Sequence, residues 1–239
     1  MNNRMVRTTS KFIRSLGTSV KDLFFPPLCL HCGTILQNTA AEHSLCDRCF
    51  GKLQPMPPEH GETEVLCRLD PCFIDRVLIA FQFNDVLQSV IHSVKYRRMP
   101  GLGFHLGSMA GKQLQKSLSA LPERNFLPIP LHSIRRKERE FNQSSFISKG
   151  IISVVGGDLM EAVLKRNRYT RSQTRLNREE RFSNVREAFL ISTTEQLQGS
   201  SIIMVDDLIT TGATMNECAR ILKENGVVQV TGLAVASPL

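Results

Sequence analysis

The stretch SIIMVDDLITTGATMNECARIL, residues 201–222, decides how the chain is read. Its opening, Ser201 to Val205, is an apolar run suited to a buried parallel strand. Asp206 and Asp207 follow at the carboxyl end of that strand, where open α/β sheets place their ligand crevices. Thr210, Thr211, Gly212, Ala213 and Thr214 come next; the glycine permits a tight turn and the threonines add hydroxyls. A helix expected over 214–225 begins at once, so its unpaired amides and positive dipole end face the same spot.

A loop of this kind holds a phosphate. Two carboxylates repel one, so they serve another part of the ligand, and carboxylates accept hydrogen bonds from sugar hydroxyls. A ribose 5-phosphate presents both groups, its diol to the aspartates and its phosphate to the loop. The pattern GxxxxGK[ST] is absent, which excludes a Walker loop.

Outward from this stretch, apolar patterning alternates between strand and helix. RVLIAFQF from Arg76 reads as a strand, and DVLQSVIHSVKYRR as an amphipathic helix. A second helix is expected over 104–118, and FLPIPL at 126–131 is a short apolar run followed by the charged segment HSIRRKEREFNQ. Residues 141–155 read as a helix, and strands are expected at 161–166, near 187–191, at 201–205 and at 227–235. Strands alternating with helices predict an α/β fold with a mainly parallel sheet covered on both faces. No repeat of 20–50 residues is present.

The chain of 239 residues is long enough for one sizeable core and a small accessory unit. Hydrophobic content of 41% and charged content of 22% are ordinary for a globular protein, and no apolar run is long enough to span a bilayer. Arg4, Arg7, Lys11 and Arg14 interrupt the apolar residues of the first segment, so no signal-peptide core is expected. We expect a cytoplasmic protein without stable membrane insertion, whose seven cysteines are thiols or metal ligands rather than disulfides. The net charge of +8 concentrates in residues 1–25, at +4, and residues 135–186, at +7. That clustering suits anionic partners, phosphates or a nucleic-acid backbone, or else is a solvated basic surface. Residues 10–25 place Phe12, Ile13, Leu16, Val20, Leu23 and Phe24 near helical spacing. Such a helix either lies on a membrane surface or packs on its own domain; we expect packing, with Pro26-Pro27 ending it.

Cys29-Leu-His-Cys32 and Cys46-Asp-Arg-Cys49 are two CxxC pairs separated by thirteen residues. Two such knuckles supply four thiolates in a tetrahedron, which suits Zn²⁺, the alternative being four buried thiols. Four sulfur ligands leave no open position, so the zinc is structural. His31, His43 and His60 are read as bystanders, and Cys218 as a core residue. The Pro/Glu-rich stretch QPMPPEHGETE, residues 54–64, reads as a connector.

VDDLITTGAT resembles the signature for phosphoribosyl pyrophosphate (PRPP) in type I phosphoribosyltransferases. With FLPIPLHSIRRKEREFNQ and VLKRNRYTRSQTRLNREERFSNVREAF, in that order, the chain resembles the ComF family over nearly its whole length. ComF proteins are phosphoribosyltransferase-like proteins of the bacterial DNA-uptake machinery. The resemblance implies a type I phosphoribosyltransferase fold with a hood and a small N-terminal zinc ribbon. It divides the chain into an amphipathic helix (1–27), a zinc-ribbon module with linker (28–73) and a phosphoribosyltransferase domain (74–239). Cys67 and Cys72 resemble the remainder of a second ribbon.

By the same resemblance, Asp206 and Asp207 grip the ribose, and Thr210 to Thr214 the 5-phosphate. Leu127–His132, including Pro130 and Leu131, is the pyrophosphate peptide, within reach of Arg135, Arg136 and Arg139. RNRYTRSQTRLNREER is the mobile hood, where Arg166, Arg168, Thr170, Gln173, Arg181 and Asn184 match the pattern. Arg168 and Tyr169 are candidates for contacting pyrophosphate or the acceptor, although an arginine-rich stretch with a stacking tyrosine equally suits nucleic acid. The implied activity is Mg²⁺-dependent transfer of a 5-phosphoribosyl group to an unidentified nucleophile. The alternative is a non-catalytic PRPP-sensing partner that binds single-stranded DNA and a competence helicase or ATPase. One departure from the family stands out: Glu140 occupies the glycine position of the usual Arg-Gly-Phe-Asn-Gln.

Overall fold

The computed structural model describes residues 26–36, 44–167, 188–193 and 197–238. The helix expected over 10–25 lies outside them, as do Arg168, Tyr169, Thr170, Gln173, Arg181 and Asn184. The chain divides after Lys52 into two compact units.

In the first unit, Leu28 and Ile35 form an antiparallel bridge around a turn closed by the Gly33 amide on the Cys29 carbonyl. A single helical turn, α1 (Asp47–Phe50), carries the second cysteine pair, with Cys46 at its N-cap and Cys49 buried in it.

The second unit is an α/β layer structure. Its elements are α2 (Pro58–Leu66), β1 (Arg76–Gln82), α3 (Asp85–Tyr96), α4 (Pro100–Ser119), β2 (Asn125–Pro128), α5 (Ser133–Arg139) and α6 (Gln143–Val155). They continue with β3 (Asp158–Leu159), β4 (Leu164–Arg166), β5 (Phe189–Ile191), β6 (Ser201–Leu208), α7 (Ala213–Glu224) and β7 (Gln229–Ser237). The main sheet runs β1-β7-β6-β2-β3 with every neighbouring pair parallel, while β4 and β5 form a separate antiparallel pair. The predicted mainly parallel sheet is therefore present, with β6 at its centre.

Both faces of that sheet are covered, which explains the near-continuous apolar runs in its middle strands. Ile202 and Met204 of β6 join Val230 and Ala234 of β7 and Met215, Cys218 and Leu222 of α7 in one core cluster. Side chains alternate along a strand, so Ile203 and Val205 supply the buried face packed by α6. Helices α4 and α6 cross closely at two glycines. A Cβ on Gly107 would lie 2.0 Å from the Ile147 carbonyl oxygen, and one on Gly150 2.0 Å from that of Phe104.

One element departs from the sequence reading. The stretch 54–64 was read as a connector, yet α2 begins inside it at Pro58, the first helical position, where a missing amide costs nothing. The segment before that helix lies along the outer edge of β1: Met56 N donates to Ala80 O at 3.1 Å and Gln82 N to Gln54 O at 2.9 Å. The charged segment after the FLPIPL run contains a short helix, α5, with no buried residue and His132 as its N-cap.

Candidate functional site

The carboxyl end of β6, the loop 209–212 and the first turn of α7 enclose a small cavity of about 60 Å³. Asp206, Thr210, Thr211, Gly212, Ala213 and Thr214 all line it. The structure thus brings the expected phosphate loop and the first aspartate together. Gly212 is the N-cap of α7 with φ +76°, the left-handed region that glycine tolerates best. A Cβ there would also meet Val65 Cγ1 at 3.1 Å, because the end of α2 and Leu69 roof the turn. Asn216, in the first turn of α7, fixes this roof by donating to the Pro71 carbonyl and accepting from Phe73 N, both at 2.8 Å. We expect Gly212→Ala to destabilise the protein by about 1–2 kcal/mol through left-handed strain and this close approach. A thermal melt checks it, and an unchanged midpoint would contradict the reading of this turn.

Asp207 points elsewhere. Adjacent residues on a strand face opposite ways, and Asp207, 4% exposed, meets Lys95 at the end of α3, with Nζ 2.8 Å from Oδ2. That contact is ionic and not aligned as a hydrogen bond. Asp206 Oδ1 instead accepts from Ser144 Oγ at 3.0 Å and from Asp207 N at 2.9 Å. Burial, then the neighbouring Asp207 carboxylate, push the Asp206 carboxyl up to about 6, against the opposing pull of Lys95, the Asp207 amide and Ser144.

Pro130 and Leu131 lie in the turn between β2 and α5, where Ile129 N is held by Val205 O at 2.9 Å. Arg135 is partly buried and 3.7 Å from Glu138, and Arg136 and Lys137 are exposed. Arg139 stacks over the Tyr96 ring at 5.5 Å and donates to Gln143 Oε1 at 3.0 Å. The unusual Glu140 sits at φ +66°, a backbone conformation for which the family's glycine is the natural residue. Its carboxylate pairs at 2.5 Å with Arg98, itself at φ +52°. The added negative charge therefore has a local partner at the end of the KYRR segment. Arg166 closes β4 with its guanidinium 5.1 Å from the Phe189 ring centre; burial lowers it from its ordinary value, while Cys218 and Asp206 act the other way. Cys218 is fully buried, as a core residue should be, and burial pushes its thiol well above the usual range. Three residues that the sequence reading left without a role meet the expected site residues: Lys95 on Asp207, Ser144 on Asp206, and Asn142 on the Ile129 carbonyl at 3.0 Å.

In the first unit the sulfurs of Cys29, Cys32, Cys46 and Cys49 all lie within 4.8 Å of one another. Cys32 and Cys46 are 3.6 Å apart. Tetrahedral zinc with Zn–S bonds of about 2.3 Å sets its sulfurs about 3.8 Å apart, so the four residues fit the ion. Thr34 pulls Cys32 down to about 6, whereas burial pushes Cys49 up to about 12; a central cation removes that conflict by favouring all four thiolates. Cys67 and Cys72 lie outside this group, their thiols on the carbonyls of Glu64 and Ile74.

Comparison with known proteins agrees with both parts. Residues 20–62 match the double zinc ribbon domain and residues 128–236 the phosphoribosyl transferase domain. Fold and site together define a protein of the phosphoribosyltransferase superfamily with an N-terminal zinc ribbon. Competence protein F of Haemophilus influenzae is 26% identical over 229 residues, covering 89% of this chain and 99% of that protein. DNA utilization protein YhgH of Salmonella typhimurium is 29% identical over 85% of this chain and 81% of its own. Competence protein ComFC of Streptococcus pneumoniae is 25% identical, covering 84% and 96%. Over most of its length the chain is similar to these competence and DNA-utilization proteins, in agreement with the ComF resemblance. Among the described residues no helix is long and apolar enough to cross a membrane.

Proposed function

We propose that the protein binds PRPP and transfers its 5-phosphoribosyl group to a nucleophile, releasing pyrophosphate, in the handling of incoming DNA. The observation that carries this reading is the cavity in which Asp206 meets the loop Thr210–Thr214 at the start of α7. Loop amides and threonine hydroxyls take the 5-phosphate. Asp206 and Asp207 hold the diol, Asp207 exchanging its contact with Lys95 for a sugar hydroxyl as the ligand enters. The peptide at Pro130 and Leu131, with Arg135 and Arg139, takes the diphosphate, guanidinium forks matching its oxygens. Arg168 and Tyr169, outside the described residues, are assigned by resemblance alone to contact pyrophosphate or the acceptor.

During transfer the bond from C1 of the ribose to the diphosphate oxygen breaks, and its electron pair leaves with pyrophosphate. The paired acids oppose the positive charge that develops on the ring. An amine-type nucleophile then bonds C1 from the opposite face and loses a proton. Asp206, the carboxylate beside the cavity, would help to hold a Mg²⁺ ion, which would supply positive charge against the leaving group. The competence and DNA-utilization names of the relatives, with the basic segment 135–186, support a role in DNA uptake inside the cell.

Calorimetric titration with PRPP, with and without Mg²⁺, followed by an assay for pyrophosphate release with amines and bases, tests the proposal. Absence of PRPP binding ends it. Binding without pyrophosphate release from any acceptor favours the sensing role instead.

Binding should also depend on pH. As a carboxylate Asp206 offers the diol a charged acceptor beside the oxygen that Ser144 and the Asp207 amide hold, so PRPP affinity is expected to rise as pH increases through about 6. The profile of Asp206→Asn, lacking this step, separates it from titration of PRPP itself. Stability runs the other way: with its folded value raised, Asp206 contributes stability present below its ordinary value and lost as pH rises through about 6.

A further inference from the structure

The turn that opens α6 joins parts of the site that are far apart in sequence. Asn142 caps the helix, its Oδ1 accepting from Ser144 N at 3.2 Å. Its other side-chain atom, Nδ2, donates to the Ile129 carbonyl at 3.0 Å, in the middle of the peptide 127–132. Gln143, 4% exposed, accepts from Arg139. Ser144, fully buried, donates its Oγ proton to Asp206 at 3.0 Å across 62 residues of sequence.

Capping alone explains one of these four bonds. Ser89, Ser93 and Ser148 show what helical serines otherwise do, each donating to the carbonyl one turn back. Ser144 stands in the first turn of α6, with no carbonyl of that helix a turn behind it, and its proton goes to the carboxylate.

We propose that Asn142, Gln143 and Ser144 form a positioning relay that holds the Asp206 carboxylate at a set distance and orientation from the diphosphate peptide. This rests on the PRPP reading above. In the relay Asn142 fixes the peptide, Gln143 fixes the Arg139 fork, and Ser144 fixes the carboxylate that receives the diol. None of the three touches the ligand. Their effect is to match the spacing of two subsites to the spacing of ribose diol and diphosphate on one molecule, which is an orientation effect. Ser144 also favours the charged form of Asp206, alongside Lys95 from α3 and against Asp207; Arg166 of β4 and the Cys218 thiol of α7 are the other titratable groups coupled to it.

The test uses the full-length protein as wild type, Ser144→Ala and Asn142→Ser. Each is titrated with PRPP and Mg²⁺ across pH, melted thermally, and followed by carbon NMR of the Asp206 carboxyl without ligand. In Ser144→Ala the Asp206 titration should move upward by about one pH unit, with the pH midpoint of PRPP binding moving alongside it. Asn142→Ser keeps a capping oxygen but loses the reach to Ile129, so it should melt close to wild type while its Kd for PRPP rises about tenfold. An unmoved Asp206 titration in Ser144→Ala overturns the relay, as does a wild-type Kd in Asn142→Ser. If Ser144→Ala does not fold, Asn142→Ser decides. A wild-type protein that binds no PRPP overturns the substrate reading, and the NMR arm then judges the relay alone.

Discussion

Changing both acids together, Asp206→Asn with Asp207→Asn, should leave a folded protein whose Kd for PRPP is raised at least about 100-fold. Each carboxylate is proposed to accept charge-assisted hydrogen bonds from the diol, and losing such a bond costs about 1.5–3 kcal/mol. Two of them amount to roughly 3–6 kcal/mol, or between about a hundredfold and about ten-thousandfold in affinity. The fold should tolerate the change for reasons specific to each position. Asp206 is a carboxyl that burial already disfavours as a charge, so an amide relieves it at neutral pH. Asp207 leaves behind Lys95, whose side chain is 21% exposed and can turn to water. Calorimetry of the double variant, beside a thermal melt, checks both halves. Wild-type affinity in a folded double variant would remove the acids from the site. Loss of PRPP binding with undiminished DNA uptake would separate the site from that process.

The second large effect concerns the cysteine module. We expect about one zinc ion per chain, lost in Cys49→Ser, a position 2% exposed and one of the four sulfur donors. Binding of structural zinc by four thiolates is worth about 10–16 kcal/mol in apparent terms, far more than so small a segment gains by apolar burial. Residues 26–52 of the variant should therefore become protease-sensitive, while the second unit, with its own sheet and core, still melts cooperatively. Metal analysis and limited proteolysis measure this directly. A variant that keeps both its zinc and its protease resistance would show that the sulfurs do not hold the ion.

Much of this could be read from residues 201–222 because several local signals there agree: a buried-strand run, a break at two acids, a glycine-bearing turn and a helix start. Strand β6, the loop and α7 follow that pattern closely. What escaped reading was of two kinds. Short or polar elements give weak periodicity, so α5, with its surface of arginines and glutamates, and the two-residue β3 carry no clear signal. Long-range contacts carry none at all. Nothing near Ser144 or Lys95 in sequence says that they meet Asp206 and Asp207, since those pairs form only when α3 and α6 are laid against the sheet. Neighbours on a strand alternate in direction, which is why Asp206 enters the loop cavity while Asp207 turns to Lys95. The glycine position filled by Glu140 was visible by resemblance, but its left-handed backbone and its Arg98 partner needed coordinates.

The segment laid along β1 affects how copies of this chain behave when crowded. A parallel sheet ending in a long bare strand invites a stranger's backbone to continue it, the route by which many proteins clump. Here Gln54 and Met56 already pair with Gln82 and Ala80 at one end of that border, and Pro55 between them has no amide to offer a newcomer. The opposite border is a strand of two residues, too brief to template anything. A protein rich in buried β-structure is thereby shielded from sticking to itself through its backbone.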